Sequence, residues 1–311
     1  MKHALVTGAS GFLGSTVVNH LLADGWKVTA LARSSPGRGR PGLTTESFDL
    51  TQNSFAGLPT DASAVIHCAA VIPSSFNDLE DAETLLQTNS LGTLRLLDWA
   101  KRNDISRFIN CSSFSVYQRP AHFAIPENHP TYPADRATYY AVSKLAAEIY
   151  ASSMNSNEFR VSSLRFSSLY GPRMKASGVL PGFIALASRG EAIRIATNPA
   201  SLFDFLYVED AASAIDACLT GSLSYTVYNI GAGHGVTLTE LAEKCWAVFG
   251  PPSTPLIYMG DSSTSVLYSV LDITRAQQDL GYSPAFDLPA GLRQMKAQMD
   301  QDRREVKSQN G

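Results

Sequence analysis

Near the start of the chain an apolar run of strand length, HALVT, passes into a helix-length segment through Thr7-Gly8-Ala9-Ser10-Gly11-Phe12-Leu13-Gly14. His3–Thr7 reads as a buried strand. Phe12–Ala23 reads as a helix, because Phe12, Leu13, Val17, Val18, Leu21 and Leu22 recur near the 3.6-residue period and Asp24-Gly25 supplies a stop. Glycines in such a turn leave backbone N–H groups bare at the positive end of a helix, where a phosphate can approach closely. Gly8 permits the tight turn, Gly11 exposes N–H groups, and Gly14 lets helix and strand pack closely. The spacing is GxxGxxG, not the GxGxxG of the standard dinucleotide fingerprint, and an ordinary turn with a helix cap can also use three glycines. Context has to decide.

The alternation continues down the chain. Residues 27–31, Ala64–His67, 107–111 and Arg160–Phe166 are further strand candidates, with helices at 79–102 and 139–154 between them. Repeated βαβ units of this kind predict an α/β fold with a doubly wound parallel sheet. Residues 34–42 (SSPGRGRPG) form a Gly/Pro/Arg-rich loop. At 311 residues the chain suits one large or two unequal domains, and after Gly171-Pro172 glycines, prolines and shorter segments take over. The expected division is a dinucleotide-binding domain at 1–170, with 203–231 returning to it, and a smaller, mainly substrate-binding α/β domain at 171–311. The last residues, DRREVKSQNG, read as a charged, fraying tail.

Composition removes several function classes. With 44% hydrophobic and 17% charged residues the chain is globular, and 25 Lys plus Arg against 28 Asp plus Glu leave no basic footprint for nucleic acid. Cys68, Cys111, Cys218 and Cys245 form no CxxC pair and, with six histidines, no metal-ligand spacing, so no metal is expected. The first residues lack the apolar stretch of a signal peptide and no apolar run is long enough to span a bilayer. The expectation is a cytoplasmic protein with reduced thiols and no membrane partner.

TGASGFLG after a first strand resembles the extended short-chain dehydrogenase/reductase family, the epimerase, dehydratase and reductase branch. Phe48-Asp49-Leu50 resembles its adenine-contacting strand end, His67-Cys68-Ala69-Ala70 its HxAA signature, and Asn89 with Gly92-Thr93 its NxxGT helix. The likeness continues through CSSFSVY at 111–117, Tyr140 with Lys144, LR at 164–165, YGP at 170–172, DFLYVED at 204–210, YNIG at 228–231 and LGYSP at 280–284. It covers nearly the whole chain and implies a Rossmann fold, a homodimer through the helices near 91–100 and 140–151, and a small-molecule substrate. It also implies a nicotinamide dinucleotide held by Gly8, Ser10, Gly11, Phe12, Leu13, Gly14, Asp49, Leu50, Cys68, Ala69, Ala70, Asn89, Tyr140 and Lys144.

At the end of the second strand a carboxylate would bond both ribose hydroxyls of NAD and repel a 2′-phosphate. Ala32 stands there, followed by Arg33, which with Ser34 and Arg38 can make charge-assisted bonds to that phosphate. NADP is therefore favoured, with NAD the alternative.

Tyr140 and Lys144 are four apart on a predicted helix, so their side chains share one face. A neighbouring ammonium favours the phenolate, which makes Tyr140 a credible acid/base, and the resemblance gives Lys144 the nicotinamide ribose as well. Ser113, four before Tyr117 at a strand's carboxyl end, is the expected donor to the substrate oxygen, with Ser112 its rival. His67 is expected to pack at its strand end outside the chemistry, and Cys68 and Cys111 to be buried and reduced.

The substrate is less constrained. Nucleotide-sugar members of the family usually carry an Asn between the LR and YGP elements and an Arg before the later Asp; here Ser168 and Phe203 stand there as substrate-side candidates beside Ser113. Relatives acting on hydroxysteroids and flavonols have less charged substrates. Dehydratase members carry an Asp-Glu pair where this chain has Phe114-Ser115. The leading expectation is a ketone–alcohol oxidoreductase, most simply a 4-keto reductase of a nucleotide sugar. A nucleotide-sugar 4-epimerase, a reductase of an uncharged ketone and a non-catalytic NAD(P)-binding regulator remain as alternatives.

Overall fold

The computed structural model describes residues 2–33, 40–52, 54–73, 79–132, 137–195, 198–255, 257–259 and 265–309. Ser34 and Arg38, proposed to assist Arg33, lie outside them. The first half of the chain runs β1 (His3–Thr7), α1 (Phe12–Ala23), β2 (Lys27–Ala32), β3 (Leu43–Ser47), β4 (Ala64–His67), α2 (Ala82–Leu85), α3 (Thr93–Arg102), β5 (Arg107–Ser113), α4 (Thr138–Met154) and β6 (Arg160–Phe166). A π-helical stretch, Leu86–Gly92, joins α2 to α3. There follow β7 (Ser168–Tyr170), α5 (Val179–Ser188), β8 (Ile193–Ile195), β9 (Phe205–Tyr207), α6 (Val208–Thr220), β10 (Val227–Ile230), α7 (Leu238–Phe249), β11 (Ile257–Met259), α8 (Thr274–Leu280) and α9 (Leu288–Gln309).

Seven strands form one parallel sheet in the order β10-β6-β5-β4-β1-β2-β3. Every residue of β1 and β4 is buried, as expected of central parallel strands covered on both faces. One face packs against α1 and α6 through Val17, Val18, Leu21, Ala211, Ala212 and Ile215. The other carries Leu96, Leu97, Ala100 and Ala151 from α3 and α4, over Val65 and Phe108. A smaller unit has its own core, built from Phe183 and Ile184 of α5, Leu241 and Trp246 of α7, and Leu292 and Met295 of α9. Two short parallel pairs, β8 with β11 and β7 with β9, complete it.

Two elements depart from the sequence expectation. β3 (LTTES) is an edge strand, mostly exposed, so it carries no apolar run to reveal it. The charged tail is helical: α9 runs to Gln309, where Gln298–Asp302 and Gln301–Glu305 bonds join side chains one turn apart and Arg303 pairs with Asp300. Among the described residues no helix is long and apolar enough to cross a membrane.

Candidate active site

From β1 the chain moves outward through β2 and β3, then returns to the far side of β1 at β4. A crevice therefore opens at the carboxyl ends of β1 and β4, where open α/β sheets bind ligands. Gly8, at φ +67°, follows β1; a Cβ on it would lie 2.7 Å from the Ala69 nitrogen, which follows β4. A Cβ on Gly14 would lie 2.2 Å from the Gly8 carbonyl oxygen, so helix and turn meet as closely as backbone allows. Gly11 begins α1 with extended backbone and no side-chain cap, leaving the first N–H groups of the helix open to the crevice beside exposed Ser10 and half-buried Phe12 and Leu13. These features fit a dinucleotide pyrophosphate. Leu50 is buried against Gly92, and Asp49 accepts bonds from the Thr51 nitrogen and hydroxyl at 2.9 and 2.8 Å. Arg33 is exposed at the end of β2, near enough to Asp49 to help hold its carboxyl below the usual range, after the Thr51 bonds.

Below the crevice runs a buried hydrogen-bond chain. The Ala69 N–H donates to the Thr7 hydroxyl (3.1 Å), Thr7 to His67 Nδ1 (2.7 Å), His67 Nε2 to Thr93 (2.9 Å), and Thr93 to the Asn89 carbonyl (2.6 Å). With Thr7 and Thr93 each spoken for, His67 must be the neutral Nε2–H tautomer. Burial, with Lys144 nearby, depresses its pKa to about 3, so it carries no charge for catalysis. The Asn89 amide bonds both backbone groups of Val71 (2.8 and 3.0 Å) and Ser143 (3.0 Å), tying the loop after β4 to α4. Asn89 sits in the π-helical stretch, a distortion frequent at functional sites.

On α4, Tyr140 and Lys144 both face inward and are buried. The Tyr140 hydroxyl is hydrogen-bonded to Ser113, which ends β5. Burial pushes the Tyr140 phenol up to about 12, and the bond to Ser113 opposes that rise. Lys144 donates to the Cys111 carbonyl at 2.8 Å, and burial lowers its pKa against the pull of Cys111, Cys68 and Glu148. The structure thus brings Ser113, Tyr140 and Lys144 together beside the crevice. Ser112, the rival, points elsewhere: its hydroxyl donates to Glu148 in a short bond.

Sequence reasoning missed Glu148. It lies four residues after Lys144 on the same face of α4, and the Tyr-x-x-x-Lys-x-x-x-Glu spacing was the available signal. Its carboxylate takes bonds from Arg165 on β6 at 3.1, 3.1 and 2.6 Å, both residues nearly fully buried. Burial alone would lower the Arg165 guanidinium, but the Glu148 carboxylate outweighs it and raises the pKa. The pair holds β5, α4 and β6 in register behind the catalytic candidates.

Cys68 follows β4 and Cys111 lies in neighbouring β5, with their sulfurs 3.5 Å apart; their mutual bond, and then burial, push the Cys68 thiol up. Ser168 and Phe203 lie at the smaller unit. The Phe203 backbone pairs with Val236 and its ring packs on that unit's apolar core. Neighbouring Asp204 is fully buried and accepts from the Ala232 and Leu271 nitrogens, anchoring this strand. The fold also gathers His20, Asp24 and Asp216, with ligand atoms within 4.8 Å, a group their separation in sequence had concealed; Asp24 is exposed and His20 and Asp216 are partly so.

Residues 4–231 match the model of the NAD dependent epimerase/dehydratase family. A dTDP-glucose 4,6-dehydratase from Streptomyces griseus is 31% identical over 93% of this chain and 92% of its own length. A UDP-glucose 4-epimerase from Mycolicibacterium smegmatis is 29% identical over 93% and 95%. Among solved structures, MoeE5 with UDP-glucuronic acid and NAD superposes with a TM-score of 0.82 at 27% identity, covering 96% of this chain and 99% of that one. The Thermotoga maritima UDP-glucose 4-epimerase with UDP-glucose gives 0.81 at 25%, also over 96% and 99%. The chain belongs to the NAD-dependent epimerase/dehydratase family, the extended branch of the short-chain dehydrogenases/reductases, and is an enzyme of that family.

Proposed function

We propose that this enzyme oxidises and reduces a ring carbon of a nucleotide-activated sugar, acting as a 4-epimerase with a bound nicotinamide dinucleotide. The convergence of Ser113, Tyr140 and Lys144 beside the glycine turn carries the reading. Gly8, Ser10, Gly11, Phe12, Leu13 and Gly14 would hold the pyrophosphate, Asp49 and Leu50 the adenosine end, and Cys68, Ala69 and Ala70 the wall toward the nicotinamide, with buried Asn89 fixing the loop behind that wall. When bound, a nicotinamide dinucleotide would supply the acceptor and donor of the hydride. Tyr140 removes the proton from the sugar hydroxyl and returns it to the ketone oxygen, while the Ser113 hydroxyl donates to that oxygen as charge develops. The Lys144 ammonium, one turn along α4 from Tyr140, would favour its phenolate form and would bond the nicotinamide ribose. The 4,6-dehydratase relatives add an elimination that needs a further acid/base pair; Phe114 and Ser115 supply no carboxyl group.

Product analysis by NMR after incubation with NAD or NADP and UDP- or dTDP-hexoses tests this. Exchange of configuration at C4 without cofactor consumption supports it. Stoichiometric reduction of the added NAD or NADP, a ketone reduction run in reverse, would replace it with net 4-keto reduction, a reading that exposed Arg33 after Ala32 favours through NADP. Phe203 favours a reductase of an uncharged ketone, because a phenyl ring cannot clamp a diphosphate. If UDP, dTDP, GDP, ADP and CDP all fail to bind at about millimolar concentration, near 4 kcal/mol of affinity, that reductase reading prevails.

We also infer a cofactor half of residues 1–170 and 203–231, a substrate half from the rest of 171–311, and residence in the cytoplasm with the four thiols free. A homodimer through α4 and the helical segment near 91–100 is supported by exposed Leu91, Val142 and Ile149, joined by Leu86 of the adjoining π-helical stretch, which contribute to an apolar face that monomer surfaces rarely leave open. Sedimentation equilibrium reads its mass directly.

A further inference from the structure

Ser115 lies two residues beyond Ser113 and sends two groups back to it. Its N–H reaches the Ser113 oxygen at 3.2 Å, and its hydroxyl lies 2.9 Å from the same atom. Ser115 is itself buried in the single 3-10 turn, Phe114–Val116, that β5 runs into, so its hydroxyl is held by the same turn that presents Ser113. A serine hydroxyl has one proton and two lone pairs. When Tyr140 is a phenolate it can only accept, so the proton of Ser113 has to go to Tyr140. The Ser113 oxygen then has only lone pairs left for Ser115, and both Ser115 groups must donate.

We propose that Ser115 is a positioning residue, one that fills the lone pairs of Ser113 and so keeps its proton turned toward Tyr140 and the substrate oxygen. Two convergent donors also polarise the Ser113 O–H, which strengthens the bond it gives. The inference rests on the reading of Ser113 and Tyr140 as the reacting pair. In it, Ser115 touches neither substrate nor cofactor and acts through Ser113 alone.

Ser115→Ala keeps the backbone donor and removes the hydroxyl. Two readouts on the NAD-saturated enzyme test the effect. The first is the pH profile of kcat and kcat/KM with the hexose substrate. The second is the ultraviolet absorbance of tyrosine phenolate, with Tyr140→Phe subtracted to isolate Tyr140, and needs no substrate. The expected result is a kcat lowered about three- to tenfold at neutral pH, the effect of one neutral hydrogen bond, with KM unchanged. The acidic limb of the profile and the Tyr140 titration should both move up by about half to one pH unit, so that activity recovers at high pH. Ser115→Thr, which retains a hydroxyl, should restore both, and thermal melts of the two variants establish that they fold alike. A loss of kcat with an unmoved limb and an unmoved titration would mean a merely structural role and overturn the proposal. Unchanged activity with an unchanged titration would overturn it as well. Should Tyr140→Phe stay active while Ser115→Ala still shifts the Tyr140 titration, the catalytic reading falls and the positioning of Ser113 by Ser115 stands.

Discussion

The turn at Gly8–Gly14 and the segment at Phe203 are built under opposite constraints. In the turn, backbone meets backbone: a methyl group on Gly14 would sit 2.2 Å from a carbonyl oxygen, so nothing but glycine fits and the sequence has to carry it. At Phe203 the backbone is held by Val236 and by buried Asp204 beside it, whatever side chain position 203 presents. A site for an invariant cofactor is thus written in sterics. A site for a variable substrate is written in side chains that the fold does not dictate.

The comparison breaks first if the scaffold behind the site does not govern it. Arg165→Met should destabilise the protein by about 3–5 kcal/mol in urea unfolding, because Glu148 is left buried and unpaired. Adding Glu148→Leu should recover most of that loss; equal damage from single and double variants would mean packing, not charge, explains it. A second scaffold test uses pH. The folded pKa of His67 is depressed to about 3 from 6.5, so the unfolded chain binds the extra proton between those values. His67 therefore stabilises fully above pH 6.5 and progressively less as pH falls toward 3, at a slope approaching about 1.4 kcal/mol per unit. His67→Asn should flatten that part of the stability–pH curve measured by thermal melts.

Gly14→Ala places a methyl group where only backbone fits. It should cost about 1–3 kcal/mol of stability by overpacking and sharply weaken dinucleotide binding, read by calorimetry. Phe203→Ala should leave dinucleotide affinity unchanged. The smallest effect concerns cofactor choice: Arg33→Ala should weaken NADP about tenfold relative to NAD, since only NADP offers a 2′-phosphate to the guanidinium. Equal losses for both would remove Arg33 from the phosphate site.

Much of this was legible in the chain because it obeys simple periods. β1 and β4 are fully buried and read as short apolar runs, and Tyr140 with Lys144 shares a helical face by spacing alone. β3 was hidden because an exposed edge strand needs no apolar residues. Glu148 and Ser115 were hidden for another reason: their partners, Arg165 and Ser113, are defined by distances across α4, β6 and the turn after β5, and neither residue type announces such a bond. Phe203 packs on the smaller unit's apolar core, and what it would mean for a substrate depends on side chains that no local pattern announces.

In the proposed reading Tyr140 moves the proton while the glycine turn and Lys144 hold the cofactor. Tyr140→Phe, measured beside the wild type for turnover of the hexose substrate and for NAD binding by calorimetry, tests it most directly. The account predicts that kcat falls by about a hundredfold or more while NAD affinity stays within about threefold. Retention of more than about a tenth of kcat, well above what loss of a general acid/base allows, would contradict it.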